Sequence, residues 1–227
     1  MLSRTAENLF WLARYVERAE YLARTMEATL RATALPGAYA GKTNEWESAL
    51  LTAGIGNAFY AVHEEANERT VVDYLSFSRD NPSSIRNCIE NARLNSRSVR
   101  TALTTEMWES INAAWLEFSA IRPRDISGAK LQELLFWVKQ VSHRYRGALL
   151  STFLRDAGYA FSQIGNFVER ADNTARILDM KYYVLLPRAT MVGGDVDIQQ
   201  WTMILRAASA HRSYRHVYHD RYKAWNI

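Results

Sequence analysis

The chain has 227 residues, 48% of them hydrophobic, which is enough apolar material for one sizeable core or two smaller ones. Lysine and arginine number 28 and aspartate and glutamate 24, so the formal charge is only +4. Because the basic residues are spread among acidic ones, the sequence predicts no nucleic-acid partner. Its apolar runs are much shorter than the roughly 20 residues that a membrane-spanning helix needs, so no membrane association is predicted either.

The only cysteine, Cys88, excludes an internal disulfide, and the N-terminus lacks the pattern of a secretion signal. These two features predict a protein of the reducing cytoplasm. Cys88 lies beside Ile85 and Ile89, and we expect it to pack in the core and not to act as a nucleophile.

The predicted elements are all helices, because glycine and proline number only 10 and 4 and no hairpin dipeptide is flanked by alternating residues. The first helix is expected to be capped by Ser3, and the Pro36-Gly37 pair ends the segment after it. An inward-facing stripe follows from the spacing of Leu9, Leu12, Val16, Ala19, Ala23, Met26 and Leu30. Further helices are predicted over about 44–67, from Pro82 to about 101, over about 105–121 and over about 127–155.

One helical sequence then occurs a second time, 152 residues further on, from Glu17 to Glu169. Residues 15–20 read YVERAE and residues 167–172 read FVERAD, and each is followed by an Ala-Arg pair. The second copy, which Pro187 is expected to end, repeats the stripe at Phe161, Ile164, Val168, Ala171, Ala175, Leu178 and Tyr182. A last helix is predicted from about Asp195 through Tyr214.

The tryptophan helices also repeat, since Trp46 and Leu50 match Trp201 and Leu205 at a common offset. We therefore predict a helical bundle built from a duplicated helical unit. It forms one domain over 1–227, with a first repeat over about 1–155 and a second, incomplete repeat over about 156–227.

Acidic and basic side chains lie on one side of each copy, because steps of three and four residues bring helical side chains over one another. This Glu/Arg face consists of Glu17, Arg18, Glu20, Arg24, Glu169, Arg170, Asp172 and Arg176. Two interpretations stay open. The charges cross-pair between two helices that approach along Ala19, Ala23, Ala171 and Ala175, or the face binds a ligand or carries out catalysis.

A metal centre is not predicted from these acids. Di-metal helical bundles use Glu-x-x-His motifs, but the residues three before His63 and His143 are Tyr60 and Gln140. An oxygen-only Mg²⁺ site is the alternative. The chain also has no glycine-rich phosphate loop, so we predict no cofactor.

Several motifs together resemble a known family. They are Ser3–Trp11 with Tyr15–Glu20, Asn81–Ile85, Glu106–Glu109 with Asn112, Phe167–Asp172 with Thr174–Arg176, and Trp201 with Tyr214-Arg215. Over essentially its whole length the chain is similar to the bacterial alpha-E family of all-helical proteins. The resemblance implies that relatives run several dozen residues longer, with a second segment echoing the region of Pro82.

The same resemblance implies a function in ATP-dependent amide-bond formation, because family members are encoded beside circularly permuted ATP-grasp proteins and transglutaminase-like proteins. We expect an accessory helical binding or scaffold protein that works with an ATP-grasp-type ligase in peptide synthesis or modification. Those two proteins are the expected partners, and exposed apolar faces favour a homodimer as well. The alternative is a stand-alone helical enzyme that uses a buried Glu/Arg cluster for acid/base chemistry on an amide or amine.

Overall fold

The computed structural model describes residues 1–33, 44–183, 193–219 and 222–227, and within these ranges it confirms the all-α prediction, with ten helices and no strand. The helices are α1 (Ser3–Thr33), α2 (Glu45–Thr52), α3 (Gly56–Tyr60), α4 (Glu68–Ser76), α5 (Ile85–Ser98), α6 (Thr105–Ser119), α7 (Ala129–Thr152), α8 (Ala157–Tyr183), α9 (Asp195–Ala207) and α10 (His211–Tyr218). Helix ends predicted at Pro36 and Pro187 lie outside the described residues. In the described part of the chain, no helix has the length and apolar character needed to cross a membrane.

Side-chain caps set the start of three helices. Asn44, Ser84 and Thr104 each accept a hydrogen bond from the backbone N–H three residues further on, and they begin α2, α5 and α6. The predicted start at Pro82 is therefore wrong, because the cap at Ser84 places the first residue of α5 after it. Ser3 is the first residue of α1 and not its cap. The helices predicted over 105–121 and 127–155 are confirmed as α6 and α7.

Two predicted helices are each interrupted by a residue with a positive φ. The helix predicted over 44–67 ends at Thr52, and Gly54 has φ +70°, a conformation that glycine adopts without a steric penalty. The last predicted helix is interrupted in the same way at Ser209, with φ 61°, so Tyr214 lies on α10 and not on α9. Left-handed residues end α-helices, and the regular apolar spacing on both sides hides them in the sequence.

The chain forms two compact units. Unit 1 consists of Met1–Ala23 and Val72–Asp172, and unit 2 consists of Arg24–Val71 and Asn173–Ile227. The boundaries between the units fall inside α1 and α8, so each of these helices contributes residues to both units.

The core of unit 1 is built on the predicted stripe of α1. Leu9, Leu12 and Val16 are buried, and the residues around them come from α5, from the connection between α5 and α6, from α6 and from α7. These are Ala92, Val99, Leu103, Met107, Ile111, Tyr145 and Leu149. The stripe prediction is therefore confirmed for this part of the first helix.

The corresponding stripe on α8 is exposed, which contradicts the prediction that it faces inward. Phe161, Ile164, Val168 and Leu178 are 37–50% exposed. Ala171 and Ala175 are exposed too, so they do not mark a close approach of two helices. The side chain of Tyr182 lies outside the described part.

A polar face of α8 is buried in unit 1 in place of that stripe. Its members are Ser162, Gly165, Asn166 and Glu169. A Cβ atom at Gly165 would overlap the backbone carbonyl of Phe10, so glycine lets α8 lie directly against α1. This contact turns the apolar stripe of α8 towards solvent.

In unit 2, α9 packs on α10 and α2 packs on α3. Trp46 and Trp201, which match one another in the sequence, are both buried there. Ile177 and Ile204 line a small cavity of about 50 Å³.

Candidate functional site

Three glutamates are buried in unit 1. Glu17 and Glu20 on α1 are 7% and 3% exposed, and Glu169 on α8 is 1% exposed. Ionised carboxylates are rarely buried to this extent, and they require charged or hydrogen-bonding partners when they are. Arginines from α1, α7 and α8 supply those partners.

Glu169 is held by two arginines of α1. The Nε and Nη2 atoms of Arg18 donate to its two oxygens over 2.6 and 3.0 Å, the parallel arrangement in which a guanidinium binds a carboxylate most strongly. Nε of Arg14 donates to Oε2 over 2.7 Å. The carboxylate thus accepts three charge-assisted hydrogen bonds.

For Glu17 the roles of the two helices are reversed, because this glutamate of α1 is bound by an arginine of α8. Nε and Nη2 of Arg170 donate to its two oxygens over 3.0 and 3.3 Å. Nη2 of Arg146, from α7, donates to both Glu17 and Glu20. His143, one turn before on α7, places Nε2 at 3.8 Å from Glu20 Oε1.

The two copies of the sequence repeat therefore pair reciprocally, the glutamate of each with the arginine of the other. Each copy contains a Glu-Arg dipeptide, Glu17-Arg18 and Glu169-Arg170. Each glutamate binds the arginine of the other copy. The two dipeptides join α1 to α8 twice. Both glutamates are buried, and the side chains of Arg18 and Arg170 are 21% and 46% exposed.

We call this group the arginine–glutamate network, and it consists of Arg14, Glu17, Arg18, Glu20, Arg146, Glu169 and Arg170. It brings together Glu17, Arg18, Glu20, Glu169 and Arg170 of the predicted Glu/Arg face.

The three other members of that face have different positions. Arg24 and Arg176 belong to unit 2, and Asp172 is the last residue of unit 1 and is half-buried. Each of the three side chains has an interaction of its own.

Sequence reasoning missed Arg14 and Arg146. Neither position takes part in the repeat, since the residue matching Arg14 in the second copy is Asn166. A signal for Arg14 was available, because it lies one helical turn before Arg18 and on the same side of α1. Arg146 comes from a different helix, and no sequence pattern links that helix to the Glu-Arg pairs.

Aromatic rings and a hydroxyl complete the environment of the arginines. The Arg14 guanidinium lies 4.8 Å from the centroid of Trp11, and that of Arg18 lies 5.7 Å from the centroid of Tyr15. Arg18 Nη1 is 3.5 Å from the Ser83 hydroxyl. These contacts help to fix the positions of the two guanidinium groups.

The arginine charges are strengthened by their partners. Burial lowers the pKa of Arg18, but its hydrogen bond and charge interaction with Glu169 outweigh that effect and raise the pKa above the ordinary value. The hydrogen bond from Arg170 to Glu17 raises the pKa of Arg170 despite its partial burial. Both guanidiniums are permanent charges at any physiological pH.

Cys88 and the possible metal ligands are the other groups that bear on chemistry in unit 1. Burial raises the pKa of the Cys88 thiol to about 12, so the reactive thiolate is scarce at neutral pH. Within the described ranges, no group of three or more histidine, cysteine, aspartate or glutamate side chains is arranged to hold a metal ion. The arginine–glutamate network joins α1 to α7 and α8 through its paired charges.

Comparison with known families gives one match. The model of the Alpha-E family, described as a predicted alpha-helical domain with a conserved ER motif, matches residues 1–227. Glu-Arg dipeptides occupy the centre of both sequence copies, at Glu17-Arg18 and Glu169-Arg170. No curated protein and no solved structure matches the chain.

Proposed function

The chain belongs to the Alpha-E family, and on that basis we propose that it is an accessory helical binding or scaffold protein that works with an ATP-grasp-type ligase in amide-bond synthesis or modification. A circularly permuted ATP-grasp protein and a transglutaminase-like protein are its proposed partners, and a homodimer is a further proposed assembly. We place these partnerships in the bacterial cytoplasm.

The observation that supports this proposal best is the complete pairing of Glu169. A general acid or base must reach a substrate proton at hydrogen-bond distance. Glu169 is 1% exposed, and both of its oxygens already accept hydrogen bonds from arginines. Such a carboxylate stabilises the contact between α1 and α8 and is poorly placed for proton transfer.

The proposed partnership rests on the family resemblance and is tested by affinity capture. The tagged chain is expressed in its native host, and co-purifying proteins are identified by mass spectrometry. We expect an ATP-grasp-type or transglutaminase-like protein in a defined ratio, and a helical protein of similar size with the same tag is the control. Recovery of the chain as a homo-oligomer alone would contradict the accessory role.

A double variant, Glu17→Gln with Glu169→Gln, separates the proposal from the stand-alone enzyme. An enzyme that used these carboxylates would lose turnover and stay folded, whereas a structural network loses stability. We expect a lower unfolding midpoint in urea. A fully stable variant would remove the structural role assigned to both glutamates.

A further inference from the structure

An apolar surface of unit 1 is open to solvent along α8. Phe161, Ile164, Phe167 and Val168 are 40–58% exposed. Leu150 of α7, which is 51% exposed, adjoins them, because it lines the same cleft as Phe167. Single exposed apolar side chains are normal, whereas a contiguous group of large ones marks an interaction surface. We call these five residues the α8 patch.

The seam of this patch has the spacing of a coiled-coil helix. Its positions are Phe161, Ile164, Val168 and the exposed Ala171, which are separated by three, four and three residues. A strict alternation of three and four gives a narrow apolar stripe that one partner helix covers, whereas a helix in a globular core has a wider apolar face. No position of the seam is charged, so no charge is buried when a helix packs on it.

The seam is complementary to a second copy of itself. Its spacing reads the same in both directions, so two copies can lie antiparallel about a twofold axis at position 166. Phe161 then meets Ala171 of the other copy. In the next layer Ile164 meets Val168. Each layer combines a larger with a smaller side chain, so the two helices pack at an even distance.

A parallel pair of the same helices would pack less well. Two Phe161 rings would meet in one layer and two Ala171 methyl groups in another, so the bulky layer would hold the helices apart at the small one. The order of side chains along the seam therefore favours the antiparallel pair.

The area of the patch sets the strength of the pair. An aromatic side chain covers roughly 150–250 Å², so at these exposures the patch and the alanines beside it offer on the order of 500 Å² in each copy. Two copies thus bury about 1,000 Å² in all, which is the size of a weak, transient interface. We expect a dissociation constant on the order of 10 µM, so the patch is open to solvent in more dilute protein.

We propose that the α8 patch is the interface of a weak homodimer, in which two copies of α8 pair antiparallel about a twofold axis near Asn166. Phe167 lies on one edge of the seam next to the axis, where it meets Phe167 of the second copy. This interface specifies the homodimer of the proposed function and rests on that part of it, whereas the ligase partnership does not depend on it.

The first test is sedimentation velocity of the purified chain over a range of roughly 1–300 µM, because mass action shifts a weak dimer across this range. We expect monomer at the low end and mostly dimer at the high end. A chain that stays monomeric throughout overturns both the interface and the homodimer. The ligase partnership is tested separately by affinity capture, so the two failures can be told apart.

A matched pair of variants locates the interface. Ile164→Glu places a charge in the middle of the seam and is expected to weaken dimerisation at least tenfold. Leu116→Glu is the control, since Leu116 is 60% exposed on α6, outside the patch, and it is expected to leave dimerisation unchanged. Both side chains are at least half exposed, so both variants are expected to fold, which circular dichroism checks. Equal effects of the two variants overturn the assignment of the interface to α8.

Cross-linking tests the antiparallel pairing in a Cys88→Ala background, which removes the native thiol. Phe167→Cys is expected to cross-link two copies through a short bismaleimide, because residue 167 lies beside the axis. Ala157→Cys is expected not to, since it is nine residues from position 166, and the helical rise places its two copies about 27 Å apart. A parallel pair would cross-link both variants. Equal cross-linking of the two variants, or none in either, overturns the antiparallel pairing.

Discussion

Glu169 is the least exposed glutamate of the arginine–glutamate network. Replacing it tests whether the network stabilises the fold. Glu169→Gln leaves the guanidiniums of Arg14 and Arg18 facing a neutral amide. Removing one partner of a buried ion pair costs about 3–5 kcal/mol. Because both arginines are about one-fifth exposed, solvent screens part of this loss, and we expect about 2–4 kcal/mol less free energy of unfolding, measured in urea.

An exposed pair on α1 is the control for this prediction. Glu27 and Arg31 form an i,i+4 ion pair whose side chains are 28% and 49% exposed. Pairs of this kind contribute about 0.2–0.5 kcal/mol, so Arg31→Gln is expected to lower the free energy of unfolding by about that amount. Similar losses in the two variants would show that the network does not stabilise the fold.

Cys88 gives a second prediction at the level of a single residue. Burial raises its pKa from 9.0 to about 12, so the native thiol is expected to react with DTNB at pH 8 only when the protein opens. In guanidinium chloride one equivalent reacts at once. The unfolded thiol ionises before the native one as the pH rises, so this group lowers the free energy of unfolding above about pH 9. Rapid reaction of the native protein would contradict the burial of Cys88.

The contact between α1 and α8 depends on Gly165, and replacing this glycine tests the contact. A methyl group at Gly165 would meet the backbone of Phe10, and backbone cannot move aside as a flexible side chain can. Overpacking of this kind costs about 1–3 kcal/mol, so Gly165→Ala is expected to lower the free energy of unfolding by at least that amount. The same variant is expected to increase the distance between α1 and α8 where Arg18 of α1 binds Glu169 of α8.

Gly147 on α7 is the matched control. It is a helical glycine on the surface, and a methyl group there would meet nothing. Alanine in a helix is favoured over glycine by roughly 0.5–1 kcal/mol, so Gly147→Ala is expected to raise the unfolding midpoint. The two glycine variants should thus shift thermal unfolding in opposite directions, and a shift of the same sign in both would contradict the close contact at Gly165.

The two copies of the repeat are buried to different extents. The same substitution, made separately at the matching position of each copy, tests this difference. Val16 and Val168 occupy matching positions in the sequence, but they are 5% and 45% exposed. Threonine is close to valine in shape and adds a hydroxyl that is costly to bury. We expect Val16→Thr to lower the free energy of unfolding by about 1–2 kcal/mol and Val168→Thr to change it by less than about 0.5 kcal/mol. Equal costs would mean that the face of α8 is covered in solution, as in the proposed homodimer.

Local sequence patterns were enough to predict the fold class, the longer helices and the central charges of the site. Helical spacing and side-chain caps are local properties, so α6 and α7 and the buried stripe of α1 could be predicted from them. The repeated Glu-Arg dipeptides were also visible, because duplication of an acid and a base at one spacing is improbable on a surface without constraint. Local patterns failed where a single left-handed residue, Gly54 or Ser209, ends a helix that the apolar spacing continues.

The partner of each charge and the buried face of α8 depend on contacts between helices that are distant in the sequence. Pairing of Glu17 with Arg170 and of Glu169 with Arg18 requires two helices to meet at one register, which no local pattern encodes. Arg146 enters from a third helix for the same reason. The matching apolar stripe of the second copy is exposed because the buried glutamate and the glycine contact with α1 lie on the other side of α8. A buried glutamate must keep its arginine partners, so the face that carries Glu169 is the one that packs on α1.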